Sequence, residues 1–267
     1  MGIVSALRMV ASIGRLHICM IGGFGSLVFA HLLAGGYWPL LALIVTHDWF
    51  LINILNRVAD IKEDVKNKIP FSETAFKNRK LIYGLYLFLL LSSLSLHWFW
   101  LPNLFWARFF GNFLGLAYNF RSPFLGGKRL KQLYFLKNTA SCSGFLLTLF
   151  VYPITSGIPL LPIVTEEPLY VALLVGFFAF FEISFEIIYD LRDYEGDRAL
   201  SIQTYPVVHG IPIAEGMVVL LNVFSAVFLI VGAELGLFTG RETIMIHAPL
   251  IQLGIFFYAR SHNYPPS

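Results

Sequence analysis

From Leu81 to Ala107 the chain runs 27 residues without an Asp, Glu, Lys or Arg. Backbone N–H and C=O groups carried into hydrocarbon must be satisfied within their own segment, so a run of this kind folds as membrane-spanning helix. About 20 mostly apolar residues cross a bilayer; the run is therefore too long for one ordinary span, and Pro102 supplies the break between two helices. The same reading along the chain gives eight spans, at 16–36, 38–56, 80–98, 102–119, 134–154, 168–189, 211–232 and 243–261. Composition agrees. Hydrophobic residues make up 57% of the chain and charged residues 13%, against about 45–50% and 25% in soluble domains. So few charges cannot cover a water-facing globule, and so apolar a chain is not disordered. The first span is too long for a signal-peptide core and no small-residue cleavage pattern follows it. Cys19 and Cys142 sit in apolar stretches and make no disulfide framework.

Charge is distributed unevenly over the loops. With eight spans, 17 of the 19 Lys and Arg fall on one side of the membrane, while the opposite loops carry mostly Glu. By the positive-inside rule the basic side is cytoplasmic, and both termini lie there. Residues 1–267 thus read as one integral-membrane, multi-pass, all-α domain with the lipid bilayer as its surroundings. No nucleic-acid partner is expected.

Two acidic constellations lie on the basic side. Asn56, Asp60 and Asp64 stand at i, i+4 and i+8, one face of a helix leaving the membrane. Asp190, Asp193 and Asp197 are spaced by three and four, again one helical face, and Glu182 and Glu186 extend it backward by whole turns into the membrane. Carboxylates stacked at a membrane boundary need counter-charge. A hard divalent cation such as Mg²⁺, commonly held by one or two carboxylates together with substrate phosphates, supplies it. Pairing with Arg57, Arg192 and Arg198 is the simpler alternative. Between the two constellations lies YNFRSPFLGGKRLKQLYFLKN, with Arg129, Lys131 and Lys137 among five cations and no acid; beside two acid clusters it completes a cradle for a metal-bound diphosphate.

These residues resemble the UbiA superfamily of intramembrane prenyltransferases from about residue 45 to 210. The family's Asn-then-two-Asp motif is matched by Asn56, Asp60 and Asp64. Its second motif is matched by Asp190, Asp193 and Asp197 followed by Thr204-Tyr205-Pro206-Val207, and Tyr118-Asn119 with RLK…LKN is similar to its basic segment. The resemblance implies an all-α, UbiA-like bundle of eight to nine spans around a central cavity. It implies Mg²⁺ on Asn56, Asp60, Asp64, Asp190, Asp193 and Asp197. It implies an isoprenyl diphosphate contacted by Asn56, Lys131, Lys137, Arg129, Tyr118 and Asn119, and catalysis by Asp60, Asp64, Asp190 and Glu186. The prenyl group would pass to an aromatic or other lipophilic acceptor. A terpene cyclase of the same superfamily, directing the cation onto the donor's own double bonds, uses the same motifs. Ser201-Ile202-Gln203-Thr204 stands where the family often has a Lys-containing stretch, and the continuation EDVKNKIPFS departs from quinone-pathway members.

Asp48, Arg108, Glu182 and Glu186 lie within spans, where ionisable residues mark cavities, pathways or packing pairs. Arg108 either pairs with one of the acids or binds an acidic acceptor. Glu186 is either a metal ligand or a base for the proton that the product loses. His47 and His97 read as structural. An ion-coupled transporter remains a third, remote reading of the intramembrane acids.

Overall fold

A computed structural model describes residues 3–66, 70–199 and 201–262. In chain order the α-helices are α1 (Ile3–Ile13), α2 (Leu16–Ala34), α3 (Pro39–Ala59), α4 (Ile61–Lys66), α5 (Ser72–Lys77), α6 (Arg79–Trp100), α7 (Pro102–Asn119) and α8 (Leu136–Leu146). A π turn, Leu147–Val151, follows. Then come α9 (Tyr152–Thr155), α10 (Pro162–Glu166), α11 (Pro168–Arg192), α12 (Tyr194–Ala199), α13 (Tyr205–His209), α14 (Ile211–Glu234), α15 (Gly240–Thr243) and α16 (His247–Ser261). No strand forms among the described residues; the Ser122–Lys128 bridge stands alone.

Helix occupies all eight stretches that the sequence marks as spans. Six of them, at 16–34, 39–59, 79–100, 168–192, 211–234 and 240–261, are long and apolar enough to cross a bilayer. The other two are less regular. α7 has only 18 residues and carries Arg108 with three Asn, and residues 136–155 are interrupted by the π turn. Pro102 is the first residue of α7, where its missing N–H costs no helical bond.

The chain forms two compact units, Met1–Leu130 with Leu147–Pro159, and Lys131–Leu146 with Leu160–Ser267. In the first, α2 and α3 pack closely because Gly22 and Gly23 present no side chain. A Cβ on Gly22 would meet the Trp49 ring at 2.5 Å, and one on Gly23 would collide with Thr46 Oγ1. Leu51, Ile54 and Leu55 of α3 bury against Tyr86 and Leu90 of α6. Those two are the buried residues of α6; Leu81, Phe88, Phe99 and Trp100 are exposed and suited to lipid contact. In the second unit, α11 packs along α14, where Gly176 lies against the Phe228 ring. Ile187, Leu191, Tyr205, Ala214, Val218 and Phe256 form the core at one end.

Both acidic segments are built alike. α3 ends at Ala59, Asp60 is a single non-helical residue, and α4 begins at Ile61. The i→i−4 bonding nevertheless continues, from Asp60 N to Asn56 O at 2.9 Å and from Asp64 N to Asp60 O at 2.8 Å. Likewise α11 ends at Arg192, Asp193 interrupts, and α12 follows, with Asp193 N to Tyr189 O and Asp197 N to Asp193 O both at 3.0 Å. The helical backbone bonding therefore carries on across each short break.

Candidate functional site

In the first unit the expected acids are deeply placed. Asp60 and Asp64 are each 4% exposed. Arg129 reaches back from the basic loop, its Nη1 donating to Asp60 Oδ1 at 2.7 Å and to the Ala59 carbonyl at 3.3 Å. Arg57 Nη1 donates to Asp64 Oδ2 at 2.7 Å, and Arg15 Nη2 lies 3.8 Å from the other oxygen. The amide of Asn56 is satisfied when its nitrogen faces Asn119 and Asp60 and its oxygen accepts from Arg15 at 2.8 Å. Asn119, 1% exposed, donates to the Gly115 carbonyl. Tyr118 is half-buried beside it in sequence. Burial pushes the Asp64 carboxyl above the usual carboxylate range, opposed by Arg57 and Arg15.

In the second unit, Asp190 is 1% exposed and bound from both sides: Lys137 Nζ donates to Oδ1 at 2.6 Å and Asn138 Nδ2 to Oδ2 at 2.9 Å. Lys137 also lies 3.5 Å from Asp197 Oδ2, a buried oxygen that accepts no hydrogen bond. Burial pushes Asp197 up to about 6; Lys137 opposes the shift and Asp190 and Asp193 add to it. One turn deeper, Ser141 Oγ donates to Glu186 Oε1 at 2.6 Å. Asp193 turns away onto its neighbour Arg192 in a bidentate pair at 2.7 and 2.8 Å. Lys131 is buried on its own 3₁₀ turn. Tyr134 and His209 hydrogen-bond across the loops that flank this cluster.

Sequence reasoning did not single out Asn138, Ser141 or Arg15 as partners of the acids. Asn138 and Ser141 stand three residues apart, and Ser141 one turn on from Lys137, a helical spacing that is the available signal. Arg15 gives none, since it reaches Asn56 and Asp64 only through the turn between α1 and α2.

Arg108 settles between the two roles open to it. It is 1% exposed, with Nε donating to Asp48 Oδ2 at 2.9 Å, Nη2 to Oδ1 at 2.5 Å and Nη2 to Ser93 Oγ at 2.7 Å. Tyr152 OH donates to Asp48 Oδ2 at 2.9 Å, and His97 and His47 border the pair. The guanidinium ties α3, α6 and α7 together and presents no donor to an acidic acceptor.

Known proteins carry related chains. The model of the UbiA prenyltransferase family matches residues 18–266. Homogentisate phytyltransferase 1, chloroplastic, of Arabidopsis thaliana is 29% identical over 186 residues, which cover 67% of this chain and 46% of that protein. The chain thus spans about half the length of this curated relative. Among solved structures, a UbiA homolog from Archaeoglobus fulgidus bound to GPP and Mg²⁺ superposes with a TM-score of 0.63 at 18% identity, covering 96% of this chain and 86% of that one. The same homolog bound to DMAPP and Mg²⁺ gives 0.61 at 19%, covering 96% and 85%. A structure concerned with digeranylgeranylglyceryl phosphate synthase in membranes gives 0.61 at 19%, covering 96% and 86%. At these identities the likeness is one of fold.

Proposed function

The chain belongs to the UbiA prenyltransferase family, and on that premise we propose that it is a Mg²⁺-dependent integral-membrane prenyltransferase acting as a single domain. It ionises an isoprenyl diphosphate at its two Asp-rich segments and passes the prenyl group to an aromatic or other lipophilic acceptor. The observation that carries this reading is the carboxylate–cation cluster built twice at the end of a long apolar helix. The isoprenyl diphosphates bound by the archaeal homolog and the phytyl transfer in the plant relative's name support the donor class.

The donor set suits a hard oxygen-seeking ion. Asn56, Asp60 and Asp64 in one segment and Asp190, Asp193 and Asp197 in the other offer carboxylate and amide oxygens, and Asp197 Oδ2 has no hydrogen bond to surrender. Among the described residues no three His, Cys, Asp or Glu side chains converge as a ready-made cage. Mg²⁺ bound through one or two carboxylates, with substrate phosphates completing its shell, needs none. When bound, the ion offsets the charge that develops on the leaving diphosphate. Arg129 and Lys137 hold Asp60 and Asp190 in the resting chain and exchange them for phosphate oxygens when the donor arrives. Lys131, Tyr118 and Asn119 complete the diphosphate contacts, and Glu186 places a carboxylate one turn below, beside the ionising carbon. The excess of Lys and Arg assigns these loops and both termini to the cytoplasmic side.

The test is incubation of the purified protein with Mg²⁺ and isoprenyl diphosphates of increasing length, with and without phenolic acceptors including homogentisate, followed by mass spectrometry. A prenylated acceptor is the expected product. A cyclic terpene from donor alone would replace transfer with cyclisation, and intact donor under every condition would refute both.

A further inference from the structure

On the basic side of the chain, the ends of α11, α14 and α16 leave a half-open cleft of about 390 Å³ in the second unit. That is the small end of the range for small-molecule sites, about 300–1,000 Å³. Leu191 and Ile211 give it apolar lining, and two guanidiniums (Arg192, Arg260) and two carboxylates (Glu195, Glu215) give it charge without a net sign. Arg260 Nη2 lies 3.0 Å from Glu215 Oε2, and Arg192 is taken up by Asp193. Both guanidiniums keep access to water, with side-chain exposures of 54% for Arg260 and 26% for Arg192. Ion pairs in such a position are weak and easily exchanged. Glu195, exposed on α12, makes no ion pair among the described residues. Arg192 links the cleft to the second acidic segment through Asp193.

We propose that this cleft seats a phosphoethanolamine lipid headgroup. An anion alone would gain Arg192 and Arg260 but meet Glu195 and Glu215, and a cation alone would meet the reverse. A phosphate and a primary ammonium a few bonds apart answer both signs: the guanidiniums donate to phosphate oxygens, and the ammonium donates to the carboxylates. The place fits a lipid, because three long apolar helices end here, where headgroups lie beside apolar surface; Ile213 of α14 and Phe257 of α16 are exposed at the same helix ends. Occupation acts on the acidic segment. Phosphate on Arg192 competes with the bidentate Asp193 pair, and Asp193 is then free to turn toward Asp197 and a bound ion. Lipid and Mg²⁺ therefore favour each other's binding, reciprocally. This coupling rests on the prenyltransferase reading; the lipid site does not.

Delipidated protein in detergent, titrated with phosphatidylethanolamine, phosphatidylcholine or phosphatidylglycerol of matched acyl chains and followed by native mass spectrometry, tests the site. Phosphatidylethanolamine should be retained about tenfold better than the other two, since choline has no N–H donor and phosphatidylglycerol no cation. Arg192→Gln/Arg260→Gln should lose about tenfold of that retention. Glu195→Gln, at an exposed and unpaired position, should lose the preference over phosphatidylglycerol with Tm unchanged. Soluble phosphoethanolamine at millimolar concentration should not displace the lipid. Equal retention of the three lipids, or undiminished retention by the double variant, overturns the site, and displacement by phosphoethanolamine overturns a lipid as its occupant. In calorimetry, phosphatidylethanolamine should tighten Mg²⁺ binding to the wild type and not to the double variant; retained lipid with unchanged Mg²⁺ affinity overturns the coupling alone. A protein that retains phosphatidylethanolamine but binds neither Mg²⁺ nor an isoprenyl diphosphate refutes the prenyltransferase reading and leaves the lipid site standing.

Discussion

Replacing Lys137 by Met tests whether the second acidic cluster is a cation site. The ammonium lies 2.6 Å from Asp190 and 3.5 Å from Asp197, two carboxylates with few other partners. Removing one member of a buried ion pair costs about 3–5 kcal/mol because a bare charge is left behind. Lys137 retains 21% side-chain exposure and Asn138 still donates to Asp190, so the expected loss is about 2–3 kcal/mol, below that fully buried range. In detergent this lowers Tm by roughly 5–10 °C. The loss depends on pH. Asp197 titrates near 6 in the folded chain, above its unfolded value, so the stability linked to its protonation is complete below about pH 4 and disappears as pH rises through 6. Without Lys137 the carboxylate has still less to oppose burial, so the variant should lose more at pH 8 than at pH 5. Mg²⁺ should then replace the lysine: at ~100 times its Kd a bound ion contributes about 2.7 kcal/mol, close to the whole deficit, and the recovery should be larger at pH 8. Thermal unfolding at both pH values, with Mg²⁺ or with K⁺ at matched ionic strength, reads all of this. A variant as stable as wild type at pH 8, or one that K⁺ restores as well as Mg²⁺, would refute the reasoning.

Asp60→Asn and Asp190→Asn should each abolish Mg²⁺-dependent diphosphate release while the protein stays folded in detergent; near-normal release by either variant would remove that residue from the site. Arg108→Met should cost about 3–5 kcal/mol by leaving Asp48 buried and unpaired, and the Arg108→Met/Asp48→Leu double variant should regain most of it. If Arg108→Met instead unfolds like wild type but loses activity toward one acceptor, the guanidinium is a binding group and not a packing tie. Gly22→Leu should destabilise by about 1–3 kcal/mol through overpacking against Trp49, measurable by the same unfolding assay; a neutral effect would mean that α2 and α3 are not held at close approach.

The length of the apolar runs fixed where helices would lie, because hydrocarbon leaves an isolated segment no other way to satisfy its backbone, and the helices at 39–59, 168–192 and 211–234 follow those runs within three residues. The four-residue spacing of Asn56, Asp60 and Asp64 likewise fixed their shared face, since the helical bonding runs on through Asp60. Spacing could not say which acids stay on that face once the helix breaks. Asp193, in the right register, occupies the interruption itself and pairs with Arg192, while Asp197 beyond it is buried. Nor could spacing choose the partners. Arg129 meets Asp60 across 69 residues, Lys137 meets Asp190 across 53 and Arg108 meets Asp48 across 60. Local periodicity orients a side chain around its own helix, but which cation it finds depends on which helix packs against that face. Packing is decided by contacts such as Gly22 on Trp49 and Gly176 on Phe228. The sequence therefore determined the helices and the faces that carry acid, and the tertiary structure alone decided which carboxylates are neutralised and by which cation.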